Sequence, residues 1–394
     1  MTPSYFEYQN AVKLLCGENA LDRMADELRH LGATRPLLLS DAVLAKIGVA
    51  AQVGEVMAAE GCPAAETFTD VPVDSSLSVV NKIARLYRES GCDALVAVGG
   101  GSVIDTAKGV RLVLSQEKDD ILSLSGVENL HRGRHIPFIV VPTTAGTGSE
   151  CTGVAVIRND EQGVKMEFLS PYVEPDVAVL DVRMTLRLPA RATAATGMDA
   201  LVHAIEAYTC LQKNPLSDAH GASAIRLIAQ HLVEATRHGA DREARLAMAL
   251  AATQAGIAFS NSMVGAVHAI GHALGGVCHV PHAEAMNILL PHVLRYNMSH
   301  AGQSYADLLP YMIGWEAAAA IPAAERAEAF ICEVEKLSAK LQQLSGLPRR
   351  LCEVGVQEAD FARVAEGALN DGALIVNPRS MDAAQVIELL KQAY

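Results

Sequence analysis

The chain has 394 residues, 50% of them hydrophobic, and a formal net charge of −13. That length exceeds the size at which a single core keeps growing, so two domains are expected. The apolar residues are spread along the chain and form no run near the roughly 20 residues of a membrane span, the first residues lack a secretory signal pattern, and an acidic chain without a basic run is a poor ligand for nucleic acid. The expected protein is cytoplasmic, with no membrane and no nucleic-acid partner. Eight cysteines stand singly, with no CxxC pair, and read as reduced thiols. Cys278 is set apart only by the histidines around it, which make it a minor candidate as a metal ligand.

In chain order, short apolar runs alternate with helical patterns through the first half. Pro36 to Ser40, Ala94 to Val98, Pro137 to Val141 and Val177 to Leu180 are apolar throughout, as strands covered on both faces should be. Helical stretches such as Ser75 to Ser90 and Val103 to Leu114 lie between them, the pattern of a parallel α/β sheet. After Leu188-Pro189 the strand signal ends and helices follow, among them Ala192 to Thr209, Ser217 to His238 and Asp241 to Asn261. The expected division is an α/β domain over 1–185 and an all-helical domain over 186–394.

Two glycine-rich segments leave predicted strands. Gly99-Gly100-Gly101-Ser102 opens a helix whose unpaired N–H groups and dipole favour a phosphate. Pro142 to Glu150, rich in Thr, Gly and Ser, follows the next strand. Loops at the carboxyl ends of buried strands are where an open α/β sheet binds its ligand, so a nucleotide or phosphate site is expected, although neither loop is the G-x-G-x-x-G fingerprint. Asp41, at the end of the Pro36 strand, is placed either to accept from a ribose 2′-OH or simply to cap a helix.

The helical half carries two pairs at i, i+4, Asp199 with His203 and His268 with His272, each on one helix face. His279, His282 and His292 follow closely. One such histidine would read as a core residue, but the group points to a metal, and imidazoles with one carboxylate suit Zn(II) or Fe(II) better than Mg or Ca. Spacing leaves open which four of Asp199, His203, His268, His272, His279 and His282 ligate.

GGGSVIDTAKG, PTTAGTGSE, PARATAATGMDALVHAIEAY, HAIGHALGGVCHVPH and NILLPHV occur in this order, and with them the chain resembles the iron-containing, or group III, alcohol dehydrogenases from end to end. The resemblance implies a dehydroquinate synthase-like fold: a parallel-sheet nucleotide-binding domain, then a helical metal-binding domain, with the active site in the cleft between them. It implies metal ligation by Asp199, His203, His268 and His282, with His272 as an unligated catalytic histidine. Cofactor contacts are implied for Asp41, Gly99, Gly100, Gly101, Ser102, Thr143, Thr144, Thr147, Ser149 and Lys165, and a place beside the substrate for Phe259. The implied cofactors are NAD and Fe2+, with Zn2+ as the alternative ion. The implied reaction is hydride transfer between a small alcohol or aldehyde and the nicotinamide with the alkoxide on the metal, in a homodimer or larger homo-oligomer. The competing readings are a lyase resembling dehydroquinate synthase, which would need Lys and Arg beside the metal residues where this chain has almost none, and a non-catalytic metal or nucleotide binder. The chain departs from the family pattern at Ala283, where glycine is usual after the loop histidine, and at Cys151-Thr152-Gly153.

Overall fold

The computed structural model describes residues 3–126, 130–161 and 164–394. The chain separates into two compact units, one from Gln9 to Leu186 and one from Arg187 to Tyr394 that also includes the N-terminal residues up to Tyr8. Tyr8 joins this second unit through its hydroxyl, 2.9 Å from His220 Nε2.

The first unit is built on β1 (Lys13–Gly17), β2 (Pro36–Leu39), β3 (Glu66–Phe68), β4 (Ala94–Gly99), β5 (Phe138–Pro142), β6 (Val154–Asn159), β7 (Val164–Leu169) and β8 (Val177–Asp181), with helices α1 (Met24–His30), α2 (Ala42–Lys46), α3 (Val49–Ala59), α4 (Leu77–Glu89) and α5 (Gly101–Ser115). Six strands form one parallel sheet in the order β1-β8-β5-β4-β2-β3. β2, β4, β5 and β8 are buried along their whole length, which is why each reads as an apolar run, broken only by Asp181 at the end of β8. Leu38, Val96, Val98, Ile139, Val141 and Val179 pack with Leu21, Met24, Val53 and Met57 into the core on one face of the sheet.

The four runs picked out in the sequence are the four inner strands, and the outer pair is absent from that reading. β1 is largely exposed and β3 spans three residues, so neither carries the apolar signature. The antiparallel β6–β7 ribbon is likewise an addition, with buried and less buried residues alternating along β6. α5 begins two residues before the predicted start because Gly100 is its N-cap.

The second unit contains α6 (Ala190–Thr209), α7 (Pro215–Arg237), α8 (Arg242–Ser260), α9 (Ala266–Cys278), α10 (His282–Ile313), α11 (Trp315–Ala319), α12 (Arg326–Ser345), α13 (Phe361–Leu369) and α14 (Ala383–Ala393), with no strand among its described residues. Its helix starts are written locally. Asn214 and Ser217 form a reciprocal capping box at α7, and Asp241 accepts from the Ala244 amide at α8. α6 packs against α7, α8 and α10, and α9 against α10 and α13. No helix of the described residues is long and apolar enough to cross a membrane.

Candidate active site

In the first unit β3 lies outward from β2, while β4, β5 and β8 extend the sheet the other way, so the strand order reverses between β2 and β4. The crevice at such a switch point, beyond the carboxyl ends of the strands, is the ligand position of an open α/β sheet. Ser40 Oγ donates to the Val98 carbonyl at 2.8 Å and ties the two strand ends together. Asp41 caps α2: its Oδ1 accepts from the amides of Val43 and Leu44, both at 2.9 Å. The capping role is therefore real, and both of its bonds fall on Oδ1.

The two glycine-rich segments meet. A methyl added at Gly100 would lie 3.2 Å from Thr144 Oγ1, and one at Gly101 would lie 3.0 Å from Thr147 Cγ2, so side chains at these two positions would wedge the loops apart. The Thr143 amide donates to the Gly99 carbonyl at 3.1 Å. Ser102 donates its hydroxyl to the Val73 carbonyl, and the next residue, Asp74, holds Lys165 of β7 at 3.1 Å. Ser149 is engaged within the unit: its hydroxyl donates to Asp105 Oδ1 at 2.6 Å and accepts from Lys108 Nζ at 3.0 Å. With its one proton committed to Asp105, Ser149 can offer a ligand only its remaining lone pair.

Asp105 and Lys108, one turn apart on α5, form the link beneath these loops. Lys108 is wholly buried, and its three ammonium protons go to Ser149 Oγ, to Thr152 Oγ1 at 2.9 Å and to the Val154 carbonyl at 2.7 Å. Asp105 also accepts from the Val156 amide at 3.0 Å. Burial pushes the Asp105 carboxyl up and the Lys108 ammonium down, and each opposes that shift in the other. Through them α5 is bonded both to the loop after β5 and to β6.

In the second unit Asp199 and His203 stand one turn apart on α6, His268 lies in the first turn of α9, and His282 opens α10. Ligand atoms of Asp199, His268 and His282 lie within 4.8 Å of one another. Asp199 Oδ1 is 3.5 Å from His282 Nε2 and 3.9 Å from His268 Nε2, and Asp199 Oδ2 is 3.9 Å from His203 Nδ1. His203 stands outside the three-atom group, its ring stacked on Phe259 at 4.4 Å between centroids and 4.5 Å from that of His268. Asp199, His203 and His268 are all buried, yet Asp199 Oδ1, His203 Nδ1 and His268 Nε2 have no hydrogen-bond partner. Buried polar atoms left unpaired are costly, and a cation is the species that this convergence of lone pairs would satisfy. Burial raises the Asp199 carboxyl, but His203, His282 and His268 outweigh it and hold it well below the usual range. Burial pushes His203 down to about 3 and His268 well below its ordinary value, the neutral state a ligand requires.

Two carboxylates missed in the sequence support this group. Glu206 Oε2 is 2.6 Å from His268 Nδ1; burial pushes Glu206 up to about 7, opposed first by the backbone donors of Gly265 and Val267. Asp371 Oδ2 is 2.8 Å from His272 Nδ1, and its other oxygen accepts from the Ala373 amide. Glu206 was within reach of a sequence argument, since it follows Asp199 by seven residues and His203 by three on one helix face. Asp371 is 99 residues from its partner, and no local pattern points to it. His279 is the exposed, left-handed C-cap of α9. Cys278 lies by Asp360 and Arg363, and burial pushes its thiol up.

The iron-containing alcohol dehydrogenase model matches residues 11–182, and the model of the C-terminal part of that family matches residues 193–394. The chain belongs to the iron-containing alcohol dehydrogenase family. It is 37% identical over 380 residues to a 1,3-propanediol dehydrogenase of Citrobacter freundii, covering 96% of each chain. It is 34% identical over 377 residues to an NAD-dependent methanol dehydrogenase of Bacillus methanolicus, covering 96% of this chain and 97% of that one. Among solved structures, a 1,3-propanediol oxidoreductase superimposes with a TM-score of 0.93 at 36% identity, covering 99% of this chain and all of the other.

Against the family pattern, Ala283 sits in the first turn of α10, and it is not among the residues with positive φ. Its methyl therefore introduces no backbone strain. Cys151 turns back on its own loop, its thiol donating to the Gly148 carbonyl at 3.2 Å, and Thr152 serves Lys108.

Proposed function

We propose that this NAD-linked alcohol dehydrogenase holds one divalent ion between Asp199, His203, His268 and His282 and interconverts a small uncharged alcohol and its aldehyde. The observation that carries the reading is the set of buried, partnerless lone pairs on Asp199, His203 and His268, with His282 Nε2 facing the same carboxylate. One carboxylate with three imidazoles suits Fe(II), the ion of the family name, and equally accepts Zn(II). When bound, the ion would lower the pKa of the alcohol hydroxyl, and the nicotinamide would take up the hydride.

The protein's own groups bind, orient and move protons. Gly99, Gly100, Gly101 and the α5 N-terminus would receive the cofactor pyrophosphate, with Ser102, Thr143, Thr144, Thr147 and Lys165 around it, and Ser149 would accept from a hydroxyl or amide of the cofactor. Asp41 would accept from the adenine ribose through Oδ2, which disfavours a 2′-phosphate. Because Asp371 engages His272 at Nδ1, proton exchange falls to Nε2 of that ring. Phe259, stacked on His203, would flank the substrate with an apolar face. The relatives named for 1,3-propanediol and methanol support a short alcohol or diol. All eight cysteines are free, in keeping with a cytoplasmic enzyme, and kinship supports a homodimer or larger homo-oligomer.

Elemental analysis of the purified protein tests the site. About one iron or zinc per chain is expected in the wild type, with metal and turnover lost together in Asp199→Ala and His282→Ala. Full metal occupancy in both variants refutes the ligand set. A panel of short aldehydes with NADH and added Fe(II) or Zn(II) then identifies ion and substrate.

A further inference from the structure

We propose that Glu206 is a positioning residue that locks the tautomer of His268, and through it decides whether the ring can ligate at all. The proposal rests on the metal-site reading above. Glu206 is buried on α6, and its two oxygens face two different donors: Oε2 lies 2.6 Å from His268 Nδ1, and Oε1 lies 2.7 Å from the Val267 amide nitrogen. In its ionised form a carboxylate only accepts, and a backbone amide only donates. With Oε1 occupied by Val267, Oε2 selects the Nδ1–H form of His268, and the Nε2 lone pair then points to the side where Asp199 Oδ1 stands at 3.9 Å. Nε2 has no other partner.

The surroundings hold Glu206 in this bridging position. A methyl on Gly265 would come within 3.1 Å of Oε1, so the carboxylate is packed against the start of α9. On the other side Asn377 Oδ1 accepts from the Ala266 amide at 3.2 Å and from Asn297 Nδ2 at 3.0 Å. Asn377 thus serves the Ala266 amide, while Glu206 serves that of Val267.

This arrangement makes an unusual demand on substitutions. A glutamine in place of Glu206 has one acceptor and one donor end. The Val267 amide takes the oxygen, so the NH2 faces His268 Nδ1 and donates to it. The ring proton then moves to Nε2, where it blocks the lone pair needed for a metal. Glu206→Gln, the nearest isostere, is therefore expected to bind metal more weakly than Glu206→Ala, whose ring is left without an instruction. Glu206→Asp keeps the acceptor-only chemistry and should keep the Nδ1–H form.

Two measurements on the full-length protein test this. Selective 15N-histidine labelling of the metal-free protein reads the His268 tautomer, with the signal identified by its loss in His268→Gln. Competition with a chromophoric chelator reads affinity for Zn(II). Wild type and Glu206→Asp are expected as Nδ1–H, and Glu206→Gln as Nε2–H with affinity lowered by about 10- to 100-fold, more than in Glu206→Ala. An Nδ1–H ring with wild-type affinity in Glu206→Gln overturns the proposal; should that variant not fold, an Nε2–H ring in Glu206→Asp overturns it instead. Absence of metal binding by the wild type refutes the metal site, while the tautomer of the metal-free protein still tests Glu206.

Discussion

Replacing Lys108 by methionine removes a buried charge while keeping most of the side-chain volume. The variant loses three bonds from Nζ, to Ser149, Thr152 and Val154, and leaves the partly buried Asp105 with its cation, 4.0 Å away, gone. Breaking one side of a buried pair typically costs about 3–5 kcal/mol. Asp105 keeps donors in Ser149 and the Val156 amide, which places the expected cost near the lower end, about 3 kcal/mol. For a unit of this size each kcal/mol shifts the melting midpoint by roughly 2–4 °C, so calorimetry should record a fall of about 6–12 °C. Asp105→Asn in the same chain removes the stranded charge and should recover roughly 0.5–3 kcal/mol as a coupling energy. The loop beyond β5 loses its anchor, so NADH affinity, read by fluorescence titration, should weaken by about tenfold while metal content stays unchanged. A Lys108→Met protein that melts within a degree of wild type and binds NADH as tightly would refute the argument that this ion pair holds the loops together.

Asp41→Asn retains an oxygen that caps α2 but removes the charge; each unit of repulsion toward a 2′-phosphate is worth up to ~4 kcal/mol at about 4 Å and an effective dielectric near 20. Screening reduces this, and NADP use relative to NAD, compared as kcat/KM, should rise by about tenfold or more; an unchanged ratio would leave Asp41 as a helix cap alone. His272→Ala should keep its metal and lose about 10² to 10⁴ in kcat with an altered pH profile, and loss of metal would instead make His272 a ligand. Glu174 is buried, and desolvation raises its carboxyl above the ordinary value. A raised folded-state pKa means that its contribution is fully present below the unfolded-state value near 4.5 and is lost as pH rises through the folded-state value. Urea unfolding should therefore find Glu174→Gln more stable than wild type at pH 8, with the difference vanishing near pH 4, and equal stability at both would remove the linkage.

How much of the fold is legible depends on how each strand is buried. β2, β4, β5 and β8 are covered on both faces, so apart from the paired Asp181 that ends β8 their residues carry no charged or polar side chain, and a run such as Ala94 to Val98 admits few other readings. β1 and β3 close the two edges of the sheet, where pairing with one neighbour supplies hydrogen bonds without requiring a buried side chain at each step. The helices of the second unit were legible for a different reason: Asp241 announces the start of α8 through a bond three residues on, whereas α7, expected from Ser217, begins at Pro215 behind the Asn214 cap.

The same distinction separates the parts of the site. The pairs Asp199 with His203 and His268 with His272 are each set by one helix, so a spacing of four residues brings them out, and the glycines are forced by the approach of a neighbouring loop. The groups that give those residues their chemical state come from elsewhere in the chain. Asp371 reaches His272 across 99 residues and is an unremarkable acid on its own segment; Glu206 shares a helix face with Asp199 and His203, but its partner His268 lies 62 residues on, and that pairing exists only after α6 and α9 have packed. Lys108 is the intermediate case: it lies three residues from Asp105 on α5, a spacing that suggests an ordinary surface pair, and only its burial beneath the loop at Ser149 turns that pair into an anchor. Local spacing thus marks the histidines and carboxylate that converge, while tautomer, orientation and charge are set by partners that tertiary packing alone supplies.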